Sequence, residues 1–186
     1  MLQDLKMNQI LKNNLTKVIS LSAINKRLAE IAYDINNRYF SKSPLCIGVL
    51  NGSFIFLADL VRCLDIDVEI SFIKARSYNG KQKSDIIKFD FFDFDNIKGR
   101  DIIIIEDIVD TGDTVTKIRN KMINKANSVA IAAFLLKPNK AKLNFEIDWV
   151  GFEISDEFVV GYGLDYNQKF RNLNGIYQGI ETYYGK

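Results

Sequence analysis

The sequence predicts an α/β fold with a central parallel sheet flanked by helices. Continuous apolar runs at Leu45–Leu50 (LCIGVL) and Ile102–Ile105 (IIII) are typical of strands that are buried on both faces of a sheet. Helical patterns alternate with the predicted strands, and this alternation favours a parallel sheet whose crossover connections are helices. The chain has 186 residues and shows no linker or repeat, so we expect one domain, residues 1–186.

The first predicted helix spans Ser20–Phe40, where apolar residues recur every three or four positions. Ser20 or Ser22 is expected to cap its N-terminus with a side-chain oxygen. After the first buried strand, Asn51-Gly52-Ser53 is expected to turn the chain into a second helix at Phe54–Leu64.

Alternating apolar residues then predict a strand from Val68 to about Lys74, followed by a loop or hairpin over residues 75–88, which contain Asn79-Gly80. The sequence beyond the central strand predicts one helix and several strands. These elements are a helix from about Thr114 to Ala126, a strand at Ser128–Leu136, and shorter strands near Phe145–Phe152 and Glu157–Gly161.

Composition excludes several classes of function. The net charge is only +2, from 25 basic and 23 acidic residues, which favours neither nucleic acid nor an anionic membrane as a partner. The longest apolar run, Val129–Leu136, is far shorter than the ~20 residues of a membrane helix. The first residues lack the apolar core of a signal peptide, so a cytoplasmic location is expected.

Residue types also limit the chemistry. The sequence contains no histidine, which excludes catalytic triads, zinc sites and general bases that depend on imidazole. Proton transfer must therefore use a carboxylate, lysine, tyrosine or water. Cys46 and Cys63 lie in apolar stretches and are expected to be small buried residues rather than a disulfide.

The segment EDIVDTGDT, Glu106–Thr114, directly follows the central strand, at the edge of the sheet where α/β folds bind ligands. The next predicted helix begins here, and the N–H groups of a helix N-terminus suit a phosphate. Gly112 lets the backbone approach an anion closely, while Thr111 and Thr114 add hydroxyl donors. The segment therefore predicts a phosphate site.

Carboxylates beside a phosphate site suit a sugar better than the phosphate itself. Glu106 and Asp107 can accept hydrogen bonds from hydroxyl groups, so a ribose 5-phosphate is the predicted ligand. A simpler alternative is that Asp110 or Asp113 only caps the helix and that the acids are solvated.

These residues resemble the phosphoribosyl diphosphate signature of type I phosphoribosyltransferases, in particular of the members that use hypoxanthine and guanine. The resemblance extends over about Leu45–Leu173, because other segments resemble further family motifs in the same order. They are VLNGSFIFLADL (Val49–Leu60, pyrophosphate loop), RSY (Arg76–Tyr78, mobile loop), LLKP (Leu135–Pro138, purine contact) and GFEISDEFVVGYGLDYNQKFRNL (Gly151–Leu173, base and metal site).

The resemblance implies a type I phosphoribosyltransferase fold with a core over about residues 40–150 and a small hood from about 1–20 and 150–186. It implies magnesium-dependent transfer of a phosphoribosyl group from phosphoribosyl diphosphate to hypoxanthine or guanine. The expected partners are these small molecules and further copies of the chain, as a homodimer or homotetramer, with no nucleic acid and no membrane.

The resemblance also implies which residues bind phosphoribosyl diphosphate and magnesium. Asp113 is expected to turn its side chain to solvent, since an inward carboxylate would repel the phosphate. The peptide bond matching Leu50–Asn51 can be cis in the family. The implied 5-phosphate ligands are Asp110, Thr111, Gly112, Asp113 and Thr114; the ribose ligands are Glu106 and Asp107; the pyrophosphate ligands are Leu50, Asn51, Gly52 and Arg171; and the metal ligands are Asp165, Glu106 and Asp107.

Purine binding and catalysis are assigned through the same resemblance. Lys137 would bind the 6-oxo group, because an ammonium donates hydrogen bonds and accepts none. The implied purine ligands are Lys137, Phe158, Val159 and Asp165, and the implied catalytic residues are Asp110, Ser77 and Tyr78.

Each of these assignments has an alternative when it is considered alone. Lys137 could be a surface residue that ends a strand, Phe158 could belong to the core, and Arg171 could pair with a surface acid. The function also has alternatives: a xanthine-guanine or adenine phosphoribosyltransferase, or a non-catalytic regulator that senses phosphoribosyl diphosphate and binds RNA.

Overall fold

A computed structural model describes residues 15–77, 87–90 and 92–179. Strands and helices alternate through the middle of the chain. The strands are β1 (Thr16–Ile19), β2 (Leu45–Leu50), β3 (Glu69–Ser77), β4 (Ile87–Asp90), β5 (Asp101–Val109), β6 (Ser128–Leu136), β7 (Trp149–Glu153), β8 (Val159–Val160) and β9 (Ile176–Gln178). The helices are α1 (Leu21–Arg38), α2 (Phe54–Val61) and α3 (Asp113–Met122).

The larger sheet has six strands in the order β4-β3-β2-β5-β6-β7. Strands β3, β2, β5, β6 and β7 are parallel, and β4 pairs antiparallel with β3 at one edge. The predicted α/β fold with a central parallel sheet is confirmed. Because parallel strands end at the same edge, the segments that follow β2, β5 and β6 are neighbours in space.

Two apolar layers cover the larger sheet. Helices α1 and α2 pack on one face, where Ile103 and Ile105 of β5 are fully buried. Helix α3 packs on the other face, against Ile102 and Ile104 of the same strand. Alternation along β5 therefore sends successive isoleucines into opposite layers, as a strand buried on both faces requires.

A second, antiparallel sheet of three short strands has the order β1-β9-β8. It joins residues near the two ends of the chain, for example Thr16 with Gln178. The sequence did not predict β1 or β9, because strands this short carry no measurable periodicity and their partners are distant in sequence.

The central strand is longer than predicted. It runs to Val109 and not only to Ile105, because its ladder with β6 continues to the pair Val109–Leu136. Glu106 and Asp107 therefore lie within the strand, and the loop begins only at Asp110. Because successive side chains of a strand point to opposite faces of the sheet, the side chains of Glu106 and Asp107 start from opposite faces of β5.

Other predicted boundaries also differ from the structure. Helix α1 begins as predicted, with Ser20 Oγ accepting from the N–H of Ala23 at 3.2 Å. Four other elements have bounds that differ from the prediction, because the apolar residues used to predict them do not coincide with the hydrogen-bonded helix or strand. Helix α2 ends at Val61 rather than Leu64, α3 at Met122 rather than Ala126, β7 spans Trp149–Glu153 rather than Phe145–Phe152, and β8 spans Val159–Val160 rather than Glu157–Gly161.

The expected hairpin is present in its two arms. Strand β3 continues past Lys74 to Ser77 and pairs antiparallel with β4, which begins at Ile87. The predicted turn at Asn79-Gly80 lies outside the described residues.

One expectation for the cysteines was wrong. Cys46 is buried in β2, and burial raises the pKa of its thiol to about 12. Cys63, which follows α2, is exposed instead of buried. The structure includes, in the ranges it describes, no helix long and apolar enough to cross a membrane.

Substitution of Ile103 by alanine tests the central strand as the centre of the core. Ile103 is fully buried between β2 and β6, so Ile103→Ala should lower the free energy of unfolding by about 2–5 kcal/mol. Urea denaturation measures this change. Ile70→Ala is the matched control, because Ile70 is 50% exposed on β3 and should cost less than about 1 kcal/mol. Equal losses in both variants would contradict the assigned core.

Candidate active site at the carboxyl edge of the sheet

Helix α3 begins in an open pocket beside the end of β5. Gly112 is the residue before the helix and adopts a left-handed conformation with φ of 89°. Gly112 offers no side-chain acceptor as the N-cap residue, and the N–H of Asp113 donates to Thr111 Oγ1 at a long 3.4 Å. The pocket is lined by Glu106 and residues 108–115, so N–H groups of the first helical turn lie beside a carboxylate. This arrangement suits a ligand that carries both an anion and hydrogen-bond donors.

The loop of residues 110–114 packs against the segment after β6. A Cβ atom on Gly112 would lie 2.4 Å from Leu143 Cδ2, and the positive φ of 89° also favours glycine at this position. The N–H of Lys142 donates to the carbonyl oxygen of Thr111 at 2.9 Å. Asp113 is exposed, in agreement with the expectation that its side chain faces solvent.

Glu106 is a buried acid, and one of its carboxylate oxygens has no partner in the described part of the chain. It is 6% exposed, and its Oε2 atom has no hydrogen-bond partner among the described residues. Burial raises the pKa of this carboxyl well above its ordinary value, and the neighbouring charge of Asp107 raises it further. A buried acceptor left without a donor is costly, and a ligand hydroxyl or a cation would remove that cost.

Asp107 is also perturbed, but it has partners. Burial raises the pKa of its carboxyl to about 6, while the N–H of Ile108, which donates to Oδ1 at 3.0 Å, opposes the shift. The positive charge of Arg171 lowers the pKa as well, so that residue lies within electrostatic range. The carboxyl groups of two adjacent residues are therefore both buried near the end of β5.

The loop of residues 50–53 connects β2 to α2 and contacts Asp107 directly; it is called the pyrophosphate loop below, after the ligand that the resemblance implies. A Cβ atom on Gly52 would lie 1.4 Å from Asp107 Oδ2, so the carboxylate occupies the space that any larger residue would need. The Leu50–Asn51 peptide bond is cis. Ser53 is fully buried, and its hydroxyl donates to the carbonyl oxygen of Val49 at 2.7 Å.

Asp165 and Arg171 form an ion pair at the edge of the same site. Arg171 Nη2 lies 2.8 Å from Asp165 Oδ1, and Arg171 Nη1 donates to the carbonyl oxygen of Gly163 at 2.7 Å. The N–H of Gln168 donates to the second oxygen of Asp165 at 2.8 Å. Sequence reasoning assigned the two residues to different ligands and did not predict that they pair. Pairing of Arg171 with an acid was the stated alternative.

Lys137 and Asp110 form a second pair that was not predicted. Lys137 is only 5% exposed, so the surface alternative for this residue is wrong. Its Nζ atom lies 3.0 Å from Asp110 Oδ2 and 3.5 Å from the carbonyl oxygen of Asp156. Asp110 and Lys137 directly follow Val109 and Leu136, which are register partners in β5 and β6, so their contact depends on strand register and not on a local sequence pattern.

Lys140 is a functional candidate that sequence reasoning missed. Its Nζ atom lies 3.9 Å from Asp110 Oδ1 and 3.4 Å from the carbonyl oxygen of Asp156. Asp110 is therefore flanked by two ammonium groups. Nothing in the sequence pattern distinguishes Lys140 from the other lysines of the turn after Pro138.

Phe158 follows Asp156 by two positions in the sequence, and the carbonyl oxygen of Asp156 lies 3.5 Å from Lys137 Nζ. Phe158 is 36% exposed, so it is not an ordinary core residue, and its ring meets that of Tyr166 edge-on at 5.8 Å. Val159, the next residue, is buried in β8. Ser77 ends β3, whereas Tyr78 lies outside the described residues.

The sequence model of the phosphoribosyl transferase domain matches residues 17–167, which is most of the chain. The chain belongs to the phosphoribosyltransferase family. The hypoxanthine phosphoribosyltransferase of Haemophilus influenzae is 39% identical over 170 residues, covering 89% of this chain and 95% of that protein. The hypoxanthine-guanine phosphoribosyltransferase of Bacillus subtilis is 40% identical over 171 residues, covering 88% and 93%.

Solved structures of phosphoribosyltransferases have the same fold. A crystal structure of a hypoxanthine phosphoribosyltransferase from Staphylococcus aureus superimposes with a TM-score of 0.88 at 34% identity, covering 97% of this chain and 100% of that one. The resemblance stated from the motifs and the predicted type I phosphoribosyltransferase fold are confirmed.

The acids of this phosphoribosyltransferase fit a magnesium ion that takes few protein ligands. No cluster of three or more metal-binding side chains occurs within the ranges that the structure describes. Glu106, Asp107 and Asp165 therefore do not form a metal cage by themselves. Magnesium in enzymes often takes one or two carboxylates and completes its shell with water and substrate phosphate. The unpartnered Oε2 atom of Glu106 is suited to such a role.

The raised pKa of Asp107 predicts how stability depends on pH. Its carboxyl has a folded-state pKa of about 6 against an ordinary 3.8, so folding favours the protonated form. The stability that this group contributes is present below its ordinary pKa and is lost as the pH rises through about 6. Asp107→Asn removes this titration and should gain about 1–3 kcal/mol over the wild type at neutral pH.

Urea denaturation from acid to neutral pH, without metal or phosphate, measures the difference between wild type and Asp107→Asn. Asp113→Asn is the control, because Asp113 is exposed. A difference that stays constant with pH would mean that Asp107 titrates normally.

Proposed function

We propose that the protein transfers the 5-phosphoribosyl group from phosphoribosyl diphosphate to hypoxanthine, and to guanine, releasing pyrophosphate in purine salvage. The observation that carries this proposal is the pocket in which Glu106 lies beside the start of α3. That pocket offers N–H donors for a phosphate and a carboxylate for sugar hydroxyls. The choice of purine as the second substrate rests on the names of the relatives, which are hypoxanthine and hypoxanthine-guanine phosphoribosyltransferases.

The ribose 5-phosphate is the part of the substrate that the geometry defines best. The N–H groups at Thr111–Thr114 would bind the phosphate, with the hydroxyls of Thr111 and Thr114 as further donors. Glu106 and Asp107 would accept from the ribose hydroxyls, which would supply the missing partner of Glu106 Oε2. Gly112 keeps the loop close to Leu143 and so holds its N–H groups in place.

The leaving group would bind at the loop after β2. Backbone N–H groups at Leu50, Asn51 and Gly52 would face pyrophosphate, with Arg171 adding a positive charge. Magnesium, when bound, would neutralise phosphate charge next to the acids of the site. Asp165, Glu106 and Asp107 are the side chains that would hold it, directly or through water.

The chemical step needs positioning and charge stabilisation more than covalent catalysis, because the ribosyl group becomes cationic as pyrophosphate departs. Asp110 would accept or manage the proton of the purine imidazole. Lys137 and Lys140 flank that carboxylate at 3.0 and 3.9 Å and would hold it in place beside the base. The resemblance also implies that the segment of residues 76–88 covers the reacting centre, where Ser77 and Tyr78 would exclude water.

Base selection follows from donor chemistry. Lys137 donates and cannot accept, so it suits the 6-oxo group of hypoxanthine and guanine and disfavours the 6-amino group of adenine. Phe158 would stack on the purine plane, and the main chain at Val159 would bind its edge. Asp165, which lies in the segment that also carries Arg171, would be a further purine ligand.

We further propose that residues 1–186 act as one cytoplasmic domain, as a homodimer or homotetramer. The core would comprise about residues 40–150, and a hood would come from about 1–20 and 150–186. The sheet β1-β9-β8 supports such a hood, because it draws its strands from both of these segments.

Two alternatives use the same site. A xanthine-guanine enzyme would need additional recognition of a 2-oxo group. A non-catalytic regulator that senses phosphoribosyl diphosphate would bind this ligand without turning it over. The net charge of only +2 does not favour RNA as the partner of such a regulator.

The direct test is an assay of nucleotide formation from phosphoribosyl diphosphate, magnesium and each of hypoxanthine, guanine, xanthine and adenine. We expect turnover with hypoxanthine and guanine and little with adenine. Absence of turnover with hypoxanthine would overturn the proposal, and binding of phosphoribosyl diphosphate without turnover would favour the regulator.

Asp110→Asn tests the proton-handling role. The amide keeps the shape of the side chain but cannot take a proton, so kcat should fall about a hundredfold while the KM values change little. Steady-state kinetics with both substrates measures the split. Asp113→Asn is the matched control in the same loop and should leave kcat unchanged, because the Asp113 side chain is exposed and only its backbone would contact the phosphate. Wild-type kcat in Asp110→Asn would exclude the role.

Lys137→Ala tests base selection. Loss of the ammonium should weaken discrimination between hypoxanthine and adenine by about tenfold or more, because a buried donor without an acceptor costs about 1–3 kcal/mol. The ratio of kcat/KM for the two bases measures this effect. Lys140→Ala provides the comparison, since it removes the other cation near Asp110 and should preserve selectivity. Unchanged selectivity in Lys137→Ala would mean that another group reads the 6-position.

A further inference from the structure

Tyr162 is a buried residue that the proposed reaction does not use. It is 2% exposed and has a left-handed backbone with φ of 49°, between Gly161 and Gly163, which both have φ of 102°. Its ring packs on that of Phe134 with centroids 4.8 Å apart. Its hydroxyl donates to Asp59 Oδ2 at 2.5 Å. A bulky side chain with this backbone conformation indicates a functional or packing constraint.

The acceptor of this hydrogen bond belongs to the pyrophosphate side of the site. Asp59 lies on α2, the helix that begins directly after residues 50–53. It also forms an ion pair with Arg62, one turn further along the helix. Burial and the carboxylate of Asp59 both raise the pKa of the Tyr162 hydroxyl, so the tyrosine remains a neutral donor. The bond therefore joins α2 to the segment around Tyr162.

The residue after Tyr162 contacts the pyrophosphate loop itself. A Cβ atom on Gly163 would lie 2.0 Å from the carbonyl oxygen of Gly52. The same glycine exchanges two hydrogen bonds with Arg171: its carbonyl oxygen accepts from Nη1 at 2.7 Å, and its N–H donates to the Arg171 carbonyl oxygen at 2.9 Å. A shift of this backbone would move Arg171, and Asp165 with it, relative to the loop.

We propose that Tyr162 is a positioning residue that sets the Asp165–Arg171 pair against the pyrophosphate loop through its hydrogen bond to Asp59. The inference rests on the proposed function, in which Arg171 and residues 50–52 bind the leaving group. Tyr162 touches no substrate in this scheme. It acts by fixing the distance between two segments that bind the same pyrophosphate.

The inference predicts an effect on one substrate. Loss of the hydroxyl should loosen the contact between Gly163 and Gly52, and binding of phosphoribosyl diphosphate and pyrophosphate should weaken. Purine binding should change little, because Lys137 and Asp110 are held by β5 and β6 and not by α2.

The test uses the Tyr162→Phe variant of the full chain, with Tyr33→Phe as the matched control, because Tyr33 is 68% exposed on α1. We expect the KM for phosphoribosyl diphosphate and the Kd for pyrophosphate to rise about tenfold, the size expected for a hydrogen bond to a charged group. The KM for hypoxanthine should stay within about twofold, and Tyr33→Phe should match the wild type. A folded Tyr162→Phe variant with unchanged values for phosphoribosyl diphosphate and pyrophosphate would overturn the inference.

The Asp59 position provides an independent test that does not depend on the folding of Tyr162→Phe. Asp59→Asn retains an oxygen that accepts from Tyr162 and should keep the wild-type KM, whereas Asp59→Leu should reproduce the rise. Combined with Tyr162→Phe, Asp59→Leu should add little, since both remove the same interaction. Equal KM values in the Asn and Leu variants would also overturn the inference. A wild-type protein that forms no nucleotide would instead refute the proposed function, and pyrophosphate binding would still test the positioning role.

Discussion

The close contact between the Asp107 carboxylate and the backbone of Gly52 is the constraint on which the site depends. The space for a Cβ atom on Gly52 is already filled by Asp107 Oδ2, and Gly163 packs in turn against the carbonyl oxygen of Gly52. Three segments that are far apart in sequence thus meet at two glycines. A side chain on Gly52 or Gly163 would collide with its neighbour, so the loop of residues 50–53 packs directly against the end of β5 on one side and against the segment around Gly163 on the other.

This packing has an energetic consequence. It encloses two adjacent carboxylates at the end of β5, and burial raises the pKa of both. Glu106 retains an oxygen without a partner. A fold selected only for stability would avoid such a pair, because buried acids without donors are costly. A ribose hydroxyl or a cation would supply the partner that Glu106 Oε2 lacks among the described residues. Ligand binding would therefore offset the free-energy cost of burying this acid.

The sequence predicted the sheet well, because buried strands such as β6 leave unbroken apolar runs whose ends coincide with the hydrogen-bonded strand. It predicted for a similar reason that the segments after β2, β5 and β6 lie together, since parallel strands bring their carboxyl ends to one edge of the sheet. It did not predict the pairs Lys137–Asp110 and Tyr162–Asp59. Those contacts depend on register and on tertiary packing, and no local pattern encodes them. Purine and pyrophosphate were named from family motifs and not from physical chemistry alone.

A crystal structure with a purine nucleoside 5′-monophosphate bound would test the assignment of the site most directly. We expect the 5-phosphate to accept from the N–H groups of Thr111–Thr114 and the ribose hydroxyls to donate to Glu106 and Asp107. We expect the base to lie beside Lys137. A phosphate bound away from the start of α3, or a ribose that leaves Glu106 Oε2 without a partner, would contradict it.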